Sequence, residues 1–393
     1  MNHRGEHTWG LAGGHCKGLS FNSTHEQLLG SSNLTCVRTW QEQRQFIQNA
    51  IEALVHAKHS CADDFVSALA EISARGLTTG KWPIAPHSQS GFASVSDPAG
   101  KKIALSSGGS VTFDQSGSIV SLVIGTLAGE SSTVDLASPT NRLAHFHYQA
   151  LSGNDMSAWV KDYGAYSRPN FNNFAAPGEA TSGPSIGATG YEANATMKTL
   201  QTKSNADGTT SVLVTASMPT QGVQEAGAPR TVSTLFVFGK HSANISLQLL
   251  GKGPTKHKET AWLSFAPPFV TGKSSLEISK IGSWLDPADV LPFTGSNMHL
   301  HAIDEGARWA GVGAGGSLQV ESLDAALVSV GDANPAPTSA KDGAKPYPKS
   351  AAGGGLTPDP SGGLHVSLVN NIWNTNYREK TLARLLSLLS CAF

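Results

Sequence analysis

The sequence predicts a mainly β chain: a large antiparallel β-sandwich preceded by a short α-helical hairpin. Beyond Trp82-Pro83 the apolar residues come in short runs divided by Gly, Pro, Ser and Asn, as strands separated by turns do. About fourteen such runs follow one another with hardly any helical periodicity between them, the pattern of antiparallel sheets packed face to face. Before Trp82 the apolar residues recur instead at three- and four-residue spacing, which marks amphipathic helices.

Residues 1–37 hold His3, His7, His15 and His25 among Gly, Ser and Asn without a sustained period, and read as loop. Residues 38–80 read as the helical hairpin. Trp40, Phe46, Ile47, Ala50, Ile51, Leu54 and Val55 form one stripe over about Thr39 to Lys58. Phe65, Val66, Leu69, Ala70 and Ile72 form the second, led by Asp63 and Asp64 and stopped by Gly76. Residues His59 to Ala62 join the two helices.

The sandwich is expected over residues 81–377. Its strands are Lys102 to Ser106, Ser110 to Asp114 and Ser118 to Gly125, with hairpin turns at Gly108-Gly109 and Gln115-Ser116-Gly117. They continue with Leu143 to Tyr148, Thr210 to Ser217, Thr231 to Phe238, Ala243 to Leu250, Thr260 to Phe265 and Leu276 to Ile281. Met298 to Ile303, Arg308 to Val312, Ser317 to Ser322, Ala326 to Val330 and His365 to Val369 complete the set. Asn334 to Gly363 is a Pro/Gly/Ala/Ser-rich long loop. Residues 378–393 form an atypical tail whose Leu382, Leu385, Leu386, Leu388 and Leu389 return to helix-like spacing.

Composition excludes several classes. Lys+Arg 28 against Asp+Glu 29 gives a net charge of -1, so no uniform field draws in nucleic acid or anionic lipid. Partners of those two kinds are not expected. No apolar run reaches the roughly 18 residues that span a bilayer, and no apolar segment follows Met1 as in a signal peptide. Four cysteines, Cys16, Cys36, Cys61 and Cys391, fit no zinc spacing and read as free thiols. Four N-glycosylation sequons begin at Asn22, Asn33, Asn194 and Asn244, and they matter only in a secreted chain. Their presence without a signal peptide gives the expectation that the beginning of the protein is missing.

Three clusters carry possible chemistry. Glu6-His7-Thr8-Trp9-Gly10 sets a carboxylate, an imidazole and an aromatic ring side by side; His is the commonest metal ligand, and Trp stacks well on a sugar ring. Its alternative reading is an exposed terminal loop without a role. His299 and His301, like His145 and His147, alternate along predicted strands and so share a face, with a solvated strand face as the bland alternative. Asn370-Asn371-Ile372-Trp373-Asn374-Thr375-Asn376 surrounds one ring with hydrogen-bonding groups, the chemistry of carbohydrate contact, against an Asn-rich turn anchored by its Trp. There is no Gly-x-Ser-x-Gly elbow, P-loop, dinucleotide fingerprint or His-Glu-x-x-His.

Several segments, in order, resemble the C-terminal part of an uncharacterised family related to glycoside hydrolase family 38, the α-mannosidases. They are Glu6 to Gly10, Trp40 to Arg44, Phe146-His147-Tyr148-Gln149, Glu259 to Phe265, Lys280-Ile281-Gly282 with Asp286-Pro287, Leu300-His301-Ala302, and Asn370 to Asn376. The resemblance implies a three-part enzyme: a barrel carrying the nucleophile and most zinc ligands, a helical bundle, and a sandwich of galactose-mutarotase-like type. This chain then corresponds to the end of the barrel, the hairpin and the sandwich. His7 best matches the junction histidine that completes the zinc site. The barrel motif itself does not occur in the sequence, and neither end matches the family pattern.

The expectation is therefore a carbohydrate-related portion of a family 38-like glycoside hydrolase, inactive alone. Zinc belongs to the full-length family and no cofactor to this chain by itself. No catalytic residue is assigned; His7 is the metal candidate, and Trp9, Asn371, Trp373 and Asn376 are the sugar-binding candidates. Two alternatives stay open: a stand-alone carbohydrate-binding module, and a scaffold for a missing or separately encoded barrel.

Overall fold

The computed structural model describes residues 45, 48–74, 86–124, 134–152, 190–253, 259–287, 289, 300–313, 315–333, 359–371 and 386–392. The chain divides into two compact units, one of residues 1–84, 173–176 and 373–379, the other of residues 85–172, 177–372 and 380–393.

In the first unit, residues 48–56 are helical (α1) and α2 spans Ala62–Ala74. A left-handed Lys58 (φ 53) ends α1, and the His59 amide donates back to the Leu54 carbonyl at 2.9 Å, closing the last turn. Asp63 and Asp64 occupy the first turn of α2, where negative charge is favoured. Two helices separated by a short turn thus lie within the span of the expected hairpin. Ile51 and Ala62 are buried, whereas Phe65 and Val66, expected on the packed side, are about half exposed at 52% and 45%.

The second unit is mainly β. Its first strands are β1 (Ala93–Ser94), β2 (Lys102–Ala104), β3 (Gly109–Phe113), β4 (Ile119–Ile124), β5 (His145–Ala150) and β6 (Tyr191–Asn194). Next come β7 (Thr196–Ser204), β8 (Thr210–Ser217), β9 (Thr231–Phe238), β10 (Ser242–Leu250), β11 (Glu259–Phe265) and β12 (Ser275–Lys280). The series closes with β13 (Ser283–Leu285), β14 (Leu300–Ala302), β15 (Gly306–Val312), β16 (Gly316–Ser322), β17 (Leu327–Val330), β18 (Leu364–Asn371) and β19 (Leu386–Ala392). Every strand expected from the sequence is present. Five were not expected: β1, β6, β7, β13 and β19.

The strands form three antiparallel sheets. Ten run in the order β1-β7-β8-β9-β10-β19-β16-β15-β12-β13, six in the order β14-β17-β18-β11-β5-β6, and three as β2-β3-β4. Gly108 (φ 92) and Gly117 (φ 82) take the left-handed conformations that the two hairpins of the small sheet require. One hydrophobic cluster draws on all three sheets: Phe113, Phe236, Phe265 and Trp309 belong to it, none more than 2% exposed. Phe113 of β3 meets Phe236 of β9 with ring centroids 5.2 Å apart, within the range of favourable aromatic pairs.

The largest departure from the sequence reading lies in the tail. Leu386–Ala392 is a strand, not helix-like, and it pairs with β10 on one side and β16 on the other. It therefore joins the two halves of the ten-stranded sheet. Leu-Ser-Leu-Leu-Ser is a short apolar run that suits either period, and the unfilled hydrogen-bonding edges of β10 and β16 decide the outcome.

Candidate functional site

The six-stranded sheet has two unlike faces. One face, with Phe146, Tyr148, Ala261, Leu263 and Val366, enters the hydrophobic core. The residues between these point the other way, and they are nearly all polar. Register builds this second face in rows. Ser329, His365, Ser264 and His145 lie side by side on β17, β18, β11 and β5. The next row is Ser367, Trp262, His147 and Asn194, and the third is Asn370, Thr260, Gln149 and Glu192.

The middle of this face is closed. Trp262 is fully buried, and its indole N–H lies 3.0 Å from both Gln149 Oε1 and Thr260 Oγ1. The Thr260 hydroxyl also donates to Gln149 Oε1 at 3.0 Å. His365 Nδ1 is 2.8 Å from Ser264 Oγ. Trp262 is thus an anchor rather than a stacking platform, because nothing outside can reach its ring.

The β5–β6 edge is open. Glu192 and Asn194 are exposed, and His145 and His147 are half-buried. The two imidazoles stack with centroids 6.5 Å apart and planes 25° apart, as the alternation of a strand predicts for i and i+2. His145 Nδ1 is 2.8 Å from Ser118 Oγ, and the Asn194 side chain also bonds this ring. Gln149 donates from Nε2 to Glu192 Oε1 at 3.1 Å. Behind His145, Arg142 Nη1 reaches Asp114 Oδ2 at 3.4 Å. Burial, helped by the charges of Arg142 and His147 and opposed by Asp114, lowers the His145 pKa to about 4. That imidazole is neutral at pH 7, able to accept or donate one hydrogen bond at each nitrogen.

The core side of β5 and β11 holds a buried charged group. Lys252 Nζ and Glu259 Oε1 are 2.8 Å apart, and both side chains are 0% exposed. The Tyr148 hydroxyl lies 2.5 Å from Glu259 Oε2 and 2.6 Å from the Ala226 carbonyl. Ala226 ends a π-helical turn, Gly222–Ala226. Burial first, and the Glu259 charge second, push the Tyr148 phenol far above its ordinary pKa, so it stays protonated. Tyr191 of β6 packs onto Gly222 so closely that a Cβ there would sit 2.3 Å from its hydroxyl oxygen. This group fixes β5, β11 and the π-helical turn together and has no route to solvent.

Of the residues singled out from the sequence, His7, Trp9, Trp373, Asn376 and His299 lie outside the described residues. Asn371 is the last residue of β18, paired with Glu259 of β11. His301 is buried in β14, not solvated. Among the described residues no group of three or more His, Cys, Asp or Glu could hold a metal ion, and no helix is long and apolar enough to cross a membrane. The Cys61 thiol is free and exposed. As sugar-contacting residues Gln149, Glu192 and Asn194 were missed, Asn194 standing only as the start of a sequon and Gln149 only in a segment of the resemblance. Period-two reading of β5 places Gln149 beside the two histidines, but Glu192 and Asn194 sit on a strand too short and polar to be read.

Fold and site define a mainly β protein with antiparallel sheets and a polar, partly open face on the smaller of its two large sheets. The chain belongs to the family described as a domain of unknown function, DUF5054, whose profile matches residues 3–246. That span includes β5 and β6, the open edge of the site. Among functionally curated proteins none matches the chain.

Proposed function

We propose that the chain is the carbohydrate-contacting, non-catalytic β part of a glycoside hydrolase-like protein, its sheets forming a sandwich of galactose-mutarotase-like type. The observation that carries this reading is the β5–β6 edge. Two imidazoles, two carboxamides and a carboxylate converge there at the rim of a closed polar face, with Glu192 and Asn194 exposed and both histidines half-buried. Sugar hydroxyls are both donors and acceptors, and such a set offers both.

A second observation supports it. Three segments that carry the resemblance to the family 38 relatives, Phe146 to Gln149, Glu259 to Phe265 and Asn370-Asn371, are neighbouring strands β5, β11 and β18. Their alternate residues supply most of the polar face. In this reading the barrel of the resembling family supplies the nucleophile and most zinc ligands, so this chain needs no cofactor to bind sugar. Trp9, Asn371, Trp373 and Asn376 stand as further sugar contacts, and His7 as the contribution to a zinc site.

The test is a glycan array with the full chain, His147→Ala, Asn194→Ala and Trp373→Ala. Binding by the full chain that weakens in the first two variants supports the edge as the site. A silent array removes the carbohydrate reading. Aryl mannosides with added zinc should not be turned over; turnover that His7→Ala abolishes would overturn the non-catalytic assignment.

A further inference from the structure

We infer that a chain of hydroxyls running from Asp114 holds the single ring proton of His145 on Nδ1, which makes Asp114 and Ser116 positioning residues for the β5–β6 edge. The place of the proton follows from hydrogen-bond geometry; its use at the edge rests on the carbohydrate reading. The chain has three links. Asp114 Oδ1 accepts the Ser116 hydroxyl at 2.6 Å, Ser116 Oγ meets Ser118 Oγ at 2.7 Å, and Ser118 Oγ meets His145 Nδ1 at 2.8 Å. Asp114 is itself held in place. Its Oδ1 also accepts the amides of Ser116 and Ser118, at 2.8 and 3.0 Å, and its Oδ2 faces Arg142.

Counting protons fixes each link in turn. A carboxylate only accepts, and a hydroxyl has one proton to give. Ser116 gives its proton to Asp114, so the contact with Ser118 requires Ser118 to donate to Ser116. Ser118 then has none left for the imidazole, and Nδ1 must be the donor across the last 2.8 Å. Ser118 is 1% exposed, so water does not replace it in the chain. With a pKa of about 4 the ring holds one proton at pH 7, and Nε2 is left as an acceptor. The charges of Arg142, His147 and Asp114 change how readily the ring takes a second proton; the hydroxyls decide where the first one sits. Asn194 bonds the ring too, and a carboxamide can turn either end to its partner. Against the unprotonated Nε2 it donates, which turns its carbonyl oxygen away from the ring at the exposed rim. A sugar hydroxyl arriving there meets an acceptor. Protonation of Nε2 would bring the carbonyl back to the ring, which is why Asn194 raises the pKa.

The test is imidazole NMR of the isotope-labelled full chain at pH 7, with Ser116→Ala and Ser116→Thr, followed by titration of each with a neutral oligosaccharide. Ser116 is half-buried, so the small change to alanine keeps the fold, and threonine keeps the hydroxyl. The expected result is the Nδ1–H form of His145 in the native chain and in Ser116→Thr. In Ser116→Ala the Ser118 hydroxyl is released to donate to Nδ1, the ring proton moves to Nε2, Asn194 turns over, and sugar binding weakens roughly fivefold. An Nε2–H form or a mixture in the native chain, or an unchanged Nδ1–H form in Ser116→Ala, overturns the inference whatever the sugar does. A proton that moves while sugar binding stays the same overturns the role at the edge and leaves the carbohydrate reading standing. Ring forms as expected, with no sugar bound by any of the three proteins, uphold the place of the proton and overturn the carbohydrate reading.

Discussion

Lys252→Met should be among the most damaging single substitutions in this chain. It deletes a cation that sits 2.8 Å from Glu259 with both side chains at 0% exposure. Glu259 would keep the Tyr148 hydroxyl, but its carboxylate in the core loses the charge of Lys252. Breaking a buried pair from one side costs about 3–5 kcal/mol, because the remaining charge stays desolvated. With an m-value of about 2–3 kcal/mol/M, the urea midpoint falls by roughly 1–2 M. The double variant Lys252→Met/Glu259→Leu removes both charges, and replacing a whole buried pair with apolar side chains is often neutral. It should therefore recover most of the loss, apart from about 1 kcal/mol for the bond to Tyr148. Urea unfolding followed by tryptophan fluorescence reports both, since Trp262 lies on the same strand as Glu259. A Lys252→Met midpoint within 0.3 M of wild type, or a double variant as unstable as the single, would refute this reasoning.

Two further outcomes follow from the same geometry. His145 has a pKa of about 4 in the folded chain against 6.5 unfolded, so above pH 6.5 neither state is protonated and the site is silent. Between 6.5 and 4 the unfolded chain takes up a proton that the folded one refuses, and stability falls by about 1.4 kcal/mol per pH unit, a loss on the order of 3 kcal/mol, before levelling off. His145→Asn should flatten that slope; an unchanged pH profile of denaturation would contradict it. Leu388→Pro removes an amide from β19 opposite Ser246 in the middle of the ten-stranded sheet. Amide exchange in β10 and β16 should rise together, whereas protection equal to wild type would mean that β19 does not hold them.

Strands whose apolar residues face one core were legible in the sequence to the residue. Thr210–Ser217 and Thr231–Phe238 are the clearest, with turns of Gly and Asn or Pro at their ends. Strands without that signature were not. Tyr191–Asn194 has four residues and two exposed polar ones, and Thr196–Ser204 is mostly Thr, Lys and Gln; their ladders with β5 and β8 define them. The tail misled because a short Leu-rich run suits both periods, and its partners β10 and β16 lie far away in sequence. At the site, the common face of His145 and His147 followed from alternation alone. The bonds that close that face could not, since Trp262 and Gln149 meet across 113 residues and Tyr148 and Glu259 across 111. Such pairings depend on register, which is set by the sheet as a whole.

Imidazole NMR of the full chain during titration with a neutral oligosaccharide tests the central claim most directly. Sugar at the β5–β6 edge should shift the ring signals of His145 and His147 in a saturable manner, while His87, bonded to Ser233 and Ser246 on the other large sheet, stays still. Rings of His145 and His147 that do not move while the sugar binds would contradict the account.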